Sequence, residues 1–100
     1  MEGLDIARQD QGQAGEYQGR APGHAGLARL TWVMRDTAQG PVRVAEHTLV
    51  PRELEGRGIA GKLVDALIAD ARQEGFRVDP RCSYVAAQFR RHPEWSDLLA

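Results

Sequence analysis

The chain has 100 residues, 42% apolar and 27% charged, a size and composition that suit one small globular domain rather than a disordered chain. Thirteen basic against fourteen acidic side chains leave a net charge of −1, which excludes the strong basic field that nucleic acid or an anionic membrane draws on. A single cysteine excludes an internal disulfide framework, and no apolar run approaches the roughly 20 residues that span a bilayer.

Residues 1–22 are interrupted by Gly3, Gly12, Gly15 and Gly19 and carry few large apolar side chains. Leu4–Ala7 and Glu16–Gln18 alternate briefly, so this poorly defined segment reads either as an edge strand or as a tail. Pro22-Gly23 signals a turn, and the domain proper is expected over 23–100. Ala28, Leu30, Trp32 and Met34 then share one face of a strand at period two. Asp36–Pro41 makes a hairpin connection to a second strand running from Val42 to Val50, antiparallel to the first.

After the polar turn Pro51–Glu55, a helix is expected from about Gly58 to Glu74. Ile59, Leu63, Ala66, Leu67 and Ala71 form its apolar stripe, and Gly75 is its C-cap. Phe76–Asp79 reads as a returning strand, parallel to the strand before the helix because the crossover is long and right-handed. Ser83 is a plausible N-cap for a second helix to about Arg91, ended by His92-Pro93. The expected fold is α/β, a small mixed and mainly antiparallel sheet with two helices.

The stretch with chemical promise is Glu55-Gly56-Arg57-Gly58-Ile59-Ala60-Gly61-Lys62. Glycines ahead of a helix let an anion approach backbone N–H groups at the positive end of the helix dipole. A tight turn before a well-packed helix is the plain alternative. Cys82 sits between a strand and a helix beside Arg81, a setting that favours thiolate and suits a nucleophile or base, although a small buried residue in a tight junction reads equally well. His47, at the strand end, has a side chain suited to a general base or to a turn-bound structural role. At period two, Glu46 and Thr48 face away from it. His24, His47 and His92 lack metal-ligand spacing, so no metal site is assigned.

Glu46–Val50 followed by Leu54–Ala60, together with Glu74–Val78, Pro80–Val85 and Arg90–Trp95, resembles the GNAT N-acetyltransferase superfamily. The similarity is to its compact single-domain branch, the YjdJ-type N-acetyltransferase-like proteins, and covers about Ala25 to Leu99. The resemblance implies a truncated GNAT fold in which the glycine loop grips the pyrophosphate of acetyl-CoA. Gly58 and Ala60 match the last two fixed positions of the loop motif. Glu55 stands where Gln or Arg is usual, which shifts the grip to backbone N–H groups of about Gly56 to Gly61, with Arg57 and Lys62 adding charge from the side. Val50 would lie beside the cofactor. The resemblance also makes Cys82 a catalytic candidate and Tyr84 a candidate proton donor to the departing CoA thiolate. The implied function is acetyl transfer to an unidentified amine, on a small molecule or a protein, in a cytoplasmic monomer. The alternative is a CoA- or acyl-CoA-binding module without turnover. Neither reading involves nucleic acid or a membrane.

Overall fold

The computed structural model describes residues 3–100. Five strands form one sheet in chain order: β1 (Asp5–Asp10), β2 (Ala14–Arg20), β3 (Ala28–Thr37), β4 (Gly40–Leu49) and β5 (Arg77–Pro80). The helix α1 (Ile59–Glu74) carries the chain from β4 to β5, and α2 (Ser83–Arg91) follows β5. Short 3-10 segments at Arg52–Leu54 and Pro93–Leu98 lead into α1 and close the chain. Strands β1 to β4 pair antiparallel, while β4 and β5 pair parallel across the α1 crossover. This is the mixed α/β sheet with two helices that the periodicity predicts.

The apolar stripe of α1 explains its seat. Ile59, Leu63, Val64, Leu67, Ile68 and Ala71 are buried, and they join Ala28, Leu30, Trp32 and Ala45 of the sheet in one core. Gly75 ends the helix in the left-handed region, its N–H donating to the Ala71 carbonyl at 3.0 Å. Val85 and Phe89 of α2 extend the core, and Phe89 meets Trp95 edge to face at 5.7 Å. His92 stacks on Trp95 at 4.0 Å, so His92–Trp95 closes the domain.

Three expectations need correction. The strands β3 and β4 run on to Thr37 and restart at Gly40, so the hairpin turn is Ala38-Gln39 rather than the whole of Asp36–Pro41. Cys82, not Ser83, occupies the N-cap of α2. Over residues 5–20, where the sequence offers an edge strand or a tail, two strands form, and β2 is interior, with β1 and β3 on its two sides.

Polar pairing holds this N-terminal hairpin where apolar residues are scarce. Arg8 on β1 binds Asp10, reaches Asp70 on α1 at 2.9 Å, and pairs with Glu74. Tyr17 on β2 is 1% exposed and donates its hydroxyl to Asp70 at 2.7 Å. Arg43 on β4, 3% exposed, donates to the Tyr17 oxygen at 2.7 Å and lies between the rings of Trp32 and Phe76, 3.6 and 4.2 Å from their centres. Burial, and then the Asp70 acceptor, push the Tyr17 hydroxyl well above its ordinary range and keep it a donor.

Candidate functional site

The site forms where two parallel strands part. Pairing of β4 with β5 covers only Val42 to Ala45 against Arg77 to Pro80. From His47 to Leu49, β4 is paired with β3 alone, and Glu46 with neither neighbour, so the edge facing away from β3 has no strand partner. The chain leaving β5 stays close at first, since the Cys82 N–H donates to the Ala45 carbonyl at 2.9 Å. Beyond that bond the two strands separate and α2 begins.

A cleft of about 280 Å³ opens beside this splay, lined by Val50, Leu54, Glu55, Gly56, Gly58, Ile59, Ala60 and Tyr84. Gly56 and Gly58 both have φ of +76°, with open space where a side chain would point. Glycine is therefore required by the backbone conformation, not by crowding. The first intrahelical bond of α1 runs from the Lys62 N–H to the Gly58 carbonyl at 3.2 Å, and no side chain caps this end. The N–H groups of Ile59, Ala60 and Gly61 thus precede the helical ladder, which is the arrangement that binds anions. A Cβ on Gly61 would lie 3.7 Å from the Tyr84 hydroxyl, so that hydroxyl faces the first turn of α1.

Of the residues marked by sequence, Val50, Glu55, Gly56, Gly58, Ile59, Ala60 and Tyr84 come together in this cleft. Gly61 lies just behind it, against Tyr84. Arg57 and Lys62 are exposed and outside its lining. Glu55 places a carboxylate at the rim, so the side chain at this position adds no donor for a phosphate.

Cys82 sits between the splayed strands with its Sγ 3.3 Å from the Thr48 hydroxyl. Burial pushes the thiol up, but the Thr48 hydroxyl and the backbone N–H groups of Val85, Tyr84 and Thr48 outweigh it and hold the thiol below its ordinary range. The N–H groups of Tyr84 and Val85 belong to the first turn of α2, and that of Thr48 comes from β4. Sequence reasoning identifies the helix start but misses Thr48, whose hydroxyl comes from a strand 34 residues away in the chain.

His47 opens elsewhere. Thr31 pairs with His47 and Trp32 with Ala45, leaving Glu46 as an extra residue in β4. This bulge overturns the expected alternation. Glu46 and His47 line the same depression, with Val33, Val44 and Arg81, on the sheet face away from α1.

An uncapped glycine loop is an arrangement suited to a phosphate group, and Tyr84 links its cleft to the start of α2, where Cys82 sits. The family model described as GCN5-related N-acetyl-transferase matches residues 16–98. The chain belongs to that family. The matched segment begins inside β2 and ends in the closing 3-10 turn, so it contains both the glycine loop and Cys82. Comparison with curated proteins gives no match. Membership in the GCN5-related family associates this fold with acyl-CoA-dependent acetyl transfer in general. Among the described residues, no helix is long and apolar enough to cross a membrane, and no three His, Cys, Asp or Glu side chains are grouped to hold a metal ion.

Proposed function

We propose that the protein is a compact N-acetyltransferase of the YjdJ type that takes acetyl groups from acetyl-CoA to an amine. The observation that carries this reading is the set of uncapped N–H groups on the glycine loop, in a cleft also lined by Tyr84, two residues along the chain from a thiol that the Thr48 hydroxyl contacts. The residues present fit the cofactor. Backbone N–H groups from Gly56 to Gly61 would hold the pyrophosphate, with Arg57 and Lys62 contributing charge at longer range. The unpaired edge of β4 from Glu46 to Leu49 would bond the extended pantetheine arm as an added strand would. Val50 and Tyr84 would flank it.

Acetyl-CoA supplies an activated acetyl thioester. Cys82 would act as the nucleophile, because the Thr48 hydroxyl and nearby backbone N–H groups favour its thiolate, the form that attacks a thioester. Its sulfur would bond the acetyl carbon as the bond to the CoA sulfur breaks, and the Tyr84 hydroxyl, which faces the first turn of α1, would give its proton to the departing thiolate. An uncharged amine would then bond the acetyl carbon as the Cys82 bond breaks, and the extra proton on the nitrogen would pass through water to the Tyr84 oxygen, restoring its hydroxyl. Thr48 and the α2 N–H groups hold the regenerated thiolate. His47, on the far face, has no step in this scheme.

Cys82→Ala tests the reading. Acetyl transfer falls by about a thousandfold or more, equivalent to ~4 kcal/mol of barrier, while CoA still raises the melting temperature because the loop is intact. Unchanged transfer in Cys82→Ala removes the cysteine from the chemistry. Wild-type protein that binds CoA but transfers acetyl to no amine is a CoA-binding module.

A further inference from the structure

The family-matched segment begins at Glu16, so β1 stands outside it, on the sheet edge, with β2 as its one strand neighbour among the described residues. No β1 residue is buried, and Ile6 is its one large apolar side chain packed against the core. A hollow of about 340 Å³ is left where Ile6 and Ala7 face Ala66 and Ala69 of α1. Apolar contact therefore holds this strand weakly. Charge holds it through one side chain. Arg8 pairs with Asp10 on its own strand, reaches Asp70 at 2.9 Å and pairs with Glu74 on α1. Tyr17 from β2 donates to the same Asp70 oxygen at 2.7 Å, and Arg43 from β4 lies 4.0 Å from it. Asp10 also accepts the Gly12 N–H at 2.8 Å in the turn to β2, so its charge serves the turn and the Arg8 pair together.

The strand also braces the cofactor end of α1. A Cβ at Gly19 would lie 3.2, 3.4 and 3.5 Å from side-chain atoms of Ile59, Ile6 and Leu63, so the three meet over that glycine. Ile59 opens α1 and lines the glycine-loop cleft. We propose that β1 is a charge-latched strap: when the pairs of Arg8 are screened or protonated, it lifts from β2 with the rest of the sheet intact, and the brace on Ile59 is lost with it. The effect on the cofactor rests on the acetyltransferase reading; the opening of the strap does not. Every partner of the latch is partly exposed, so salt reaches it. Arg8 holds the carboxyls of Asp10 and Glu74 below the usual carboxylate range. The latch is therefore complete above that range and fails as pH falls through the lowered values.

Amide hydrogen exchange on the full chain, read residue by residue and referred to each residue's intrinsic rate, tests both parts. Opening of β1 is expected to be about tenfold more frequent in Arg8→Gln, the scale of one charge-assisted hydrogen bond, with a smaller rise in Glu74→Gln. In the wild type it rises with added salt and with acid, while β3 stays protected. Saturating CoA lowers β1 opening severalfold, because a ligand that favours the braced loop favours the closed strap in return. Opening of β1 that neither substitution nor salt changes, or that occurs only together with β3, overturns the strap. CoA that binds at the glycine loop without changing β1 opening overturns the brace. CoA that binds nowhere removes the acetyltransferase reading and leaves the strap standing or falling on the Arg8→Gln and salt results.

Discussion

The two ends of β4 are built on opposite plans. At its start, Arg43 is buried between two aromatic rings and tied through Tyr17 to Asp70, which Arg8 also meets, so the first four strands and α1 are fastened there by side chains. At its far end, from Glu46 onward, the strand loses its parallel partner and faces a loop whose glycines leave N–H groups uncapped. One end spends its polar groups on itself. The other keeps backbone groups open, and a ligand of matching charge gains what the fold has left unsatisfied.

The largest expected effect breaks the closed end. Arg43→Leu removes a buried cation from between Trp32 and Phe76 and leaves the Tyr17 hydroxyl without its donor, so stability to urea falls by about 3 kcal/mol. Affinity for CoA, measured by calorimetry below the melting temperature, stays within about twofold, a difference of ~0.4 kcal/mol. A loss of CoA binding as large as the loss of stability would show that the two ends are not separable.

Gly58→Val acts in the reverse sense. A β-branched residue in the left-handed region costs about 1–3 kcal/mol of stability, and relieving that strain displaces the N–H groups at the start of α1. Calorimetry should detect no CoA binding in a protein that still folds. Glu55→Gln, at the rim of the same cleft, leaves CoA affinity nearly unchanged because the grip is through backbone. Normal CoA binding by Gly58→Val would reduce the loop to a turn.

The smallest effect concerns Cys82. Its alkylation rate by iodoacetamide should reach half its plateau at a pH below that of an ordinary thiol, and Thr48→Val should move that midpoint upward. The sign for stability follows. The folded chain favours the thiolate, so this contribution is present above the unfolded thiol's pKa and is lost as pH falls through the folded value. A midpoint that Thr48→Val leaves unmoved would assign the effect to the backbone N–H groups of Thr48, Tyr84 and Val85 rather than to the hydroxyl.

The same contrast governs what the sequence discloses. The stripe Ile59, Leu63, Leu67 and Ala71 is local and periodic, and Gly75 punctuates it, so α1 and the parallel return of β5 are legible from the chain. The glycine loop is legible because Gly56 and Gly58 signal a backbone requirement that other residues meet poorly. The closed end is much less so. The strands β1 and β2 depend on Arg8 meeting Asp70 and Glu74, 62 and 66 residues away, and no pattern within residues 3–20 reveals those partners. The bulge at Glu46 has no glycine to mark it, so period-two reasoning places Glu46 opposite His47 when both line one depression. The Thr48 contact that tunes Cys82 is hidden for the same reason of chain distance.

The most direct measurement is a CoA titration of the full chain followed by backbone amide shifts. The account predicts saturable shifts at Gly56 to Gly61 and along Glu46 to Leu49, with Arg8, Tyr17, Arg43 and Asp70 unmoved. Saturable binding whose shifts leave the glycine loop untouched would contradict it.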